Sequence, residues 1–372
     1  MTFGVVSYNI YCNFTNYGSA LQSWALTQAI GKLGHHAKLV DYCPEILADK
    51  DPLNPFPHMW DQDETSRRNC ELTLPAIREN FYKFDRFYHE KFDKTLRKYT
   101  AANFNDIMAE EQLDGFVCGS DTIFCILEFH GFDDGYFANY DCMKNGYSVS
   151  YAASFGDAVF DDETFPVLKD RLQNFNALGL RENTLIDYVK ENVSVPVKQV
   201  LDPTLLMTAA DYDRIAEKRL IAERYILLYT RRYDPKMEDY AERLAQETGC
   251  KIVEISLRAL NAEKGHIMYY QAGVEEFLSL VKYAEAVVTN SFHGLIFGVQ
   301  FSRPIHIFTR EQADKKIGDV LRICGLSDRV AGADGRLLDN ETDYEQVHQR
   351  LMIKRQESMA FLKSELDACP KK

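Results

Sequence analysis

The sequence predicts an α/β protein built from two successive parallel sheets. Three observations lead there. Short, fully apolar runs alternate with amphipathic helical patterns, this alternation occurs twice, and the 372 residues suffice for two cores at about 100–200 residues per domain. With 46% hydrophobic and 12% aromatic residues, and 20 Gly and 11 Pro, the composition excludes a collagenous, low-complexity or disordered chain.

Phe3–Ser7 reads as a buried strand. A polar loop runs to Gly18, and Ser19–Leu33 then places Leu21, Trp24, Ala25, Ile30 and Leu33 on one side of a helix. Ala37–Asp41 is the next strand, so the chain opens as βαβ and its sheet is expected to be parallel. Asp114–Cys118, Tyr147–Tyr151, Ala177–Leu180 and Val197–Leu201 are strands of the same short apolar type. Between Cys43 and Thr100 the pattern changes. Pro52, Pro55 and Pro57 break it, and Pro75–Lys91 is helical, with Phe81, Phe84, Tyr88 and Phe92 along one stripe. This stretch reads as an insertion, about 44–113, whose aromatic residues serve packing beside or over the first domain.

The polar stretch Thr208–Glu223 leads into the second alternation. Its strands are Tyr225–Tyr229, Lys251–Ile255, Ala286–Thr289 and Pro304–Phe308. Its helices are Lys236–Thr248, Val274–Tyr283 and one from His293. Asp343–Ala368 is a long amphipathic helix. Domains are expected at 1–207 and 208–340, with the terminal helix, 341–372, packing back on the first. Two such series describe two Rossmann-like domains facing each other across a cleft, where ligands sit beyond the carboxyl ends of the strands.

Charge narrows the partners. Fifty-six acidic against 43 basic side chains give a net charge of -13, and no basic run overrides it, so nucleic acid is not an expected partner. A small anionic substrate remains compatible, because screening over about 8 Å lets a local Arg/Lys cluster act against the global charge. The nine cysteines are scattered, with no C-x-x-C pair, and fit free thiols better than zinc or disulfides. The N-terminus has neither a basic n-region nor a long apolar h-region, and no run of 18 apolar residues occurs. A soluble, cytoplasmic protein is the expectation.

Five strand-end loops carry the candidate chemistry. In Asn13–Gln22, Gly18 permits a tight turn and Ser19 can cap the following helix, leaving amides for an anion or hydroxyl. In Cys118-Gly119-Ser120-Asp121, a carboxylate stands at the sheet edge, where it can orient or deprotonate a sugar hydroxyl or simply cap a helix. Tyr151–Gly156, with Ser154, is small enough for close backbone approach. Arg181 follows an apolar strand and can fork onto a carboxylate or phosphate, or pair locally with Glu182. The strongest segment is Val287–Phe297, where a strand ends in polar residues and His293 opens a helix directly before Gly294. Asp202-Pro203-Thr204 reads as a crossover turn.

Taken together, NYGSALQSWAL, VCGSDTIF, SYAASFG, GLREN, VLDPTLL and TNSFHGLIFGVQFSRP resemble the polysaccharide pyruvyl transferase family, in order and spacing, over roughly Gly4 to Arg329. The resemblance implies a GT-B-like fold and transfer of the enolpyruvyl carbons of phosphoenolpyruvate onto a sugar as a ketal. It implies acceptors from cell-surface polysaccharide, such as exopolysaccharide or capsule, or from lipid-linked precursors. Lipid linkage would bring the chain to the inner membrane face, although no basic amphipathic helix demands this.

His293 matches the family histidine thought to contact the donor and serve in acid–base chemistry. The chain departs from the family's R-x-H segment by carrying Ser291 two residues before it. The cations remaining are Arg181, Arg231, Arg232, Arg303, Arg310, Lys315 and Lys316, of which Arg231 and Lys315 follow second-domain strands. The expectation is therefore His293 and Asp121 as catalytic residues. Donor contacts are expected from Arg181, Arg231, Ser291, His293, Gly294 and Lys315, and acceptor contacts from Asn16, Tyr17, Gly18, Ser120, Asp121 and Ser154. No metal or cofactor is expected; a homo-oligomer is left open, with the terminal helix as the contact. The rival readings are a nucleotide-sugar glycosyltransferase, for which Glu275 and Glu276 are poor ribose-binding carboxylates, and a non-catalytic sugar-binding descendant, which Ser291 favours.

Overall fold

The computed structural model describes the whole chain except residues 60–61, 310–313, 332–334, 340 and 372, and the side chains of 314 and 315. Its first sheet contains β1 (Thr2–Val6), β2 (His36–Leu39), β3 (Gly115–Cys118), β4 (Ser148–Ala153), β5 (Ala177–Leu180) and β6 (Val197–Gln199), in the order β2-β1-β3-β4-β5-β6. The second contains β7 (Tyr225–Tyr229), β8 (Lys251–Ile255), β9 (Ile267–Met268), β10 (Ala286–Thr289) and β11 (Ile305–Ile307), in the order β11-β10-β7-β8-β9. Every neighbouring pair is parallel. Central strands such as β3, β7 and β10 are buried along their whole length, which is why their sequences are continuous apolar runs. In each sheet the strand order reverses once, between β1 and β3 and between β7 and β10, and these reversals open the crevices in which such sheets bind ligands.

The first helix is Tyr17–Lys32, two residues longer at its start than the periodicity indicates. The cap is Asn16 rather than Ser19: Asn16 Oδ1 accepts from the Gly18 and Ser19 amides at 2.9 and 3.4 Å. This helix is buried nearly all round instead of along one stripe, because it lies between the two sheets. Tyr17 stacks on Phe277 of the second domain at 4.3 Å and 11°, and its hydroxyl donates to the Ala272 carbonyl at 2.8 Å. One hydrophobic cluster thus runs from Phe3 and Trp24 through Tyr17 to Phe277 and Leu295.

The expected insertion contains a helix far longer than Pro75–Lys91. It spans Glu64–Lys91, with Pro75 inside it and Asp63 capping it through the Ser66 amide at 3.0 Å. A single proline removes one ladder bond, and the buried face formed by Cys70, Thr73, Ile77, Asn80, Phe84 and Phe87 outweighs it. The helix also reaches the second domain: Asn69 Oδ1 accepts from the Leu260 amide at 3.0 Å, and Lys83 pairs with Glu276 at 2.7 Å. Among the elements that were not legible are the short β9 and the helices Thr164–Leu172, Ile186–Asn192 and Asp314–Cys324. The terminal helix, Tyr344–Asp367, contacts both halves, through Ser358 Oγ to the Leu201 amide at 3.0 Å and His348 to Ser302 at 2.9 Å. All nine cysteines are free. Among the described residues no helix is long and apolar enough to cross a membrane.

Tyr17 is therefore expected to hold the halves together. Tyr17→Ala should destabilise by about 3–5 kcal/mol through the lost ring, and Tyr17→Phe by about 1 kcal/mol through the lost hydrogen bond, both read from urea midpoints.

Candidate active site

The loops after β1 and β3 meet the loop after β10 at the seam of the two sheets. His293 is the second residue of the helix Phe292–Gln300, which Ser291 caps by accepting from the Gly294 amide at 3.2 Å. The imidazole lies flat against the start of the first helix. A Cβ on Gly18 would stand 1.9 Å from His293 Nδ1, so only glycine leaves room for the ring. His293 Nε2 is buried without a hydrogen-bond partner and lies 3.7 Å from Asp202 Oδ2.

Arg181 is the hub beside it. Its Nη1 donates to Asp202 Oδ2 at 2.8 Å, its Nε to Glu182 Oε1 at 3.4 Å, and its Nη2 lies 3.6 Å from Asp121 Oδ1, while its guanidinium sits 4.9 Å over the Phe292 ring. All four charged groups are buried. Burial alone would raise the Asp202 carboxyl, but His293, Arg181 and the Thr204 hydroxyl hold it well below the usual range. Burial is likewise overcome at Asp121 by Arg181, His293 and Lys316, so both carboxylates are ionised. Asp121, at φ 72, occupies the left-handed region that few non-glycine residues adopt, and its Oδ2 accepts from Ser19 Oγ at 2.9 Å.

This geometry revises several expectations. Arg181 is enclosed by three carboxylates and is no free cation for a donor phosphate. Asp121 is tied to Arg181 and Ser19 and does not stand as a free base. Ser120 Oγ is fully buried and bonded to the Ala152 carbonyl at 2.8 Å, and Ser154 Oγ donates to Glu182, so neither hydroxyl faces an acceptor. Tyr17 is a packing residue, Asn16 a cap, and Gly18 a seat for His293. Ser291 is likewise a cap, and Gly294 is required because a Cβ would meet Thr289 Oγ1 at 2.5 Å. Arg310 and the Lys315 side chain lie outside the described residues.

Arg231 does face a cavity, of about 450 Å³, together with Arg232, Tyr233, Ser256 and Arg258 from the ends of β7 and β8, Tyr270 from the end of β9, and Ser66 and Asn69 from the long helix. No carboxylate occurs among its described lining residues. The Arg258 guanidinium stacks 3.9 Å over the Tyr233 ring, and its buried Nε has no partner. Asn290 ties this cavity to the His293 loop, accepting from the Arg231 amide at 3.0 Å and donating to the Arg232 carbonyl at 2.7 Å. Sequence reasoning passed over Arg258 and Asp202. Arg258 stands three residues after β8, the strand-end position that singled out Arg231; Asp202 looked like a turn residue, since only folding brings it to Arg181. No metal-binding cluster of His, Cys, Asp or Glu occurs among the described residues.

Gly18→Ala should displace the His293 ring and abolish activity while circular dichroism stays native. Asp202→Asn should cost about 3 kcal/mol at pH 7, as removal of one partner from a buried ion pair does. The native Asp202 carboxyl titrates below its unfolded value of about 3.9, so its stabilisation is complete above that pH and is lost on acidification below it. The variant's urea midpoint should accordingly fall less steeply below pH 4 than the wild type's.

The model of the polysaccharide pyruvyl transferase family matches residues 16–312, most of the chain. A search of curated proteins returns no match. Among solved structures, one assigned as a UDP-N-acetylglucosamine 2-epimerase from Listeria monocytogenes aligns with a TM-score of 0.50 and 11% identity, over 98% of this chain and 91% of that one. The UDP-GlcNAc 2-epimerase of Methanocaldococcus jannaschii aligns at 0.47 and 10% identity, over 95% and 93%. The ADP-heptose LPS heptosyltransferase II of E. coli aligns at 0.39 and 11%, over 98% and 100%. The first of these likenesses bears on the fold alone, and the two lower scores carry no weight. The sheets have a GT-B-like arrangement, and the glycine-seated histidine lies in the matched segment: the chain belongs to the polysaccharide pyruvyl transferase family.

Proposed function

We propose that the chain transfers pyruvyl from phosphoenolpyruvate onto two hydroxyls of a sugar, forming a ketal on a surface polysaccharide or its precursor. The observation that carries the donor assignment is the cavity bearing Arg231 and Arg258, with no acidic residue among its described lining, in a chain of net charge -13. Phosphoenolpyruvate is a compact carboxylate-phosphate, and planar guanidinium forks suit both groups. Arg231 and Arg258 then replace the arginine that Ser291 does not supply.

His293 protonates the methylene carbon, C3, and positive charge develops at C2. One sugar hydroxyl bonds to C2, phosphate departs with the C2–O electron pair, and the second hydroxyl closes the ketal. Of the two hydroxyl protons, one replaces that given to C3 and the other leaves on hydrogen phosphate. Asp202 and Asp121 hold Arg181 and border His293, so they set the charge around the ring. Phosphoenolpyruvate is a cytoplasmic metabolite, which puts the reaction there; a lipid-linked acceptor would add peripheral contact with the inner membrane face.

Calorimetry and thermal shift with phosphoenolpyruvate, beside UDP, GDP and CMP, test the donor. At a hundredfold excess over Kd, phosphoenolpyruvate should stabilise by about 2.7 kcal/mol, less so as salt rises. Arg231→Ala and Arg258→Ala should remove that response, whereas His293→Ala should keep it and lose turnover. A response to a nucleotide alone would instead favour nucleotide-sugar transfer.

A further inference from the structure

The proposed reaction requires a base for the attacking hydroxyl, and Asp121 is tied up. The loop after β3 contains another carboxylate. Glu128 is exposed as a residue, while its carboxyl is surrounded by protein groups at the β1/β3 reversal, where it meets Tyr8 from the end of β1. Its Oε2 receives the Tyr8 hydroxyl and the Thr122 hydroxyl, the latter at 2.7 Å, and Tyr8 and Thr122 lie 3.1 Å apart. Both donors are buried and both converge on one oxygen, so the orientation of the carboxylate is fixed. Its Oε1 has no hydrogen-bond partner among the described residues. Two hydroxyl donors fix one oxygen of the carboxylate and leave the other open to accept a proton.

We propose that Glu128 Oε1 is the general base that takes the proton from the first sugar hydroxyl as that oxygen bonds to C2. This rests on the pyruvyl-transfer reading. The groups around it fit. Surrounding protein raises the carboxyl, the Tyr8 and Thr122 hydroxyls and the Lys316 charge from the helix Asp314–Cys324 partly offset this, and Asp121 raises it further. Glu128 in turn raises Cys12 and Cys125. A base drawn upward from the ordinary glutamate value, about 4.3, is better matched to a hydroxyl at neutral pH than the depressed Asp121. Glu128 lies seven positions after Asp121, and nothing in a single sequence marks the second as the one with an open oxygen.

Phosphate release from phosphoenolpyruvate, with methyl β-galactoside and methyl β-mannoside as acceptors, tests this across pH 4–9. Wild-type kcat should rise with pH as Glu128 deprotonates. Glu128→Gln should lower kcat by about 10²–10⁴-fold, leave the KM for phosphoenolpyruvate and its thermal-shift response within about twofold, and lose the acidic limb. Tyr8→Phe, which removes a donor to the carboxylate, should move that limb to higher pH. Turnover by Glu128→Gln at the wild-type rate, with the limb intact, would overturn the proposal and leave pyruvyl transfer standing. Absence of phosphate release by wild type with either glycoside would count against pyruvyl transfer itself, and the proposal would fall with it.

Discussion

A single buried guanidinium organises the seam. Arg181 comes from the end of β5, Glu182 from the next position, Asp121 from the loop after β3, and Asp202 from the turn that leaves the first sheet. None of these charges is stable alone in a dry interior. Together they neutralise one another in part and leave excess negative charge beside His293. The arrangement couples fold to chemistry: the sheet must form for the four groups to meet, and once met they fix the electrostatics around the imidazole. Gly18 supplies the steric half of the constraint, since it seats the ring against a helix that the opposite sheet also packs upon.

An acidic chain can still hold a locally cationic site beside this seam. Its acidic residues lie mainly on solvated surfaces or in the Arg181 cluster, whereas the cavity at the ends of β7 and β8 is lined by arginines. Screening limits the global field to about a Debye length, so the local cations decide what enters. The long insertion helix completes the cavity from the other side and is braced on the second domain through Asn69, Lys83 and Asn80. What looked like a decoration of the first domain is a wall of the cleft.

The strands were legible because parallel strands buried on both faces leave continuous apolar runs: Ala177–Leu180, Tyr225–Tyr229, Lys251–Ile255 and Ala286–Thr289 match residue for residue. Helix starts were less so, since Asn16 and Ser19 are both good caps and only tertiary packing on Phe277 favours the earlier one. Candidate positions were legible where a strand end and a polar side chain coincide, as at His293, Asp121, Arg181 and Arg231. Their engagement was not. Whether Arg181 faces phosphate or three carboxylates depends on Asp202, which meets it only through the fold. Ser120, Ser154 and Ser291 show the same limit, because a hydroxyl that reads as a ligand contact is equally suited to a backbone carbonyl, a carboxylate or a helix amide.

The central claim is that C3 of phosphoenolpyruvate gains a proton as C2 passes to a sugar. The most direct measurement is the reaction run in D₂O with phosphoenolpyruvate and a glycoside carrying two adjacent-reach hydroxyls, followed by ³¹P and ¹H NMR. The account predicts inorganic phosphate and a ketal methyl in equal amounts, with one deuterium in each methyl group. Unchanged phosphoenolpyruvate, or phosphate released with free pyruvate and no ketal, would contradict it.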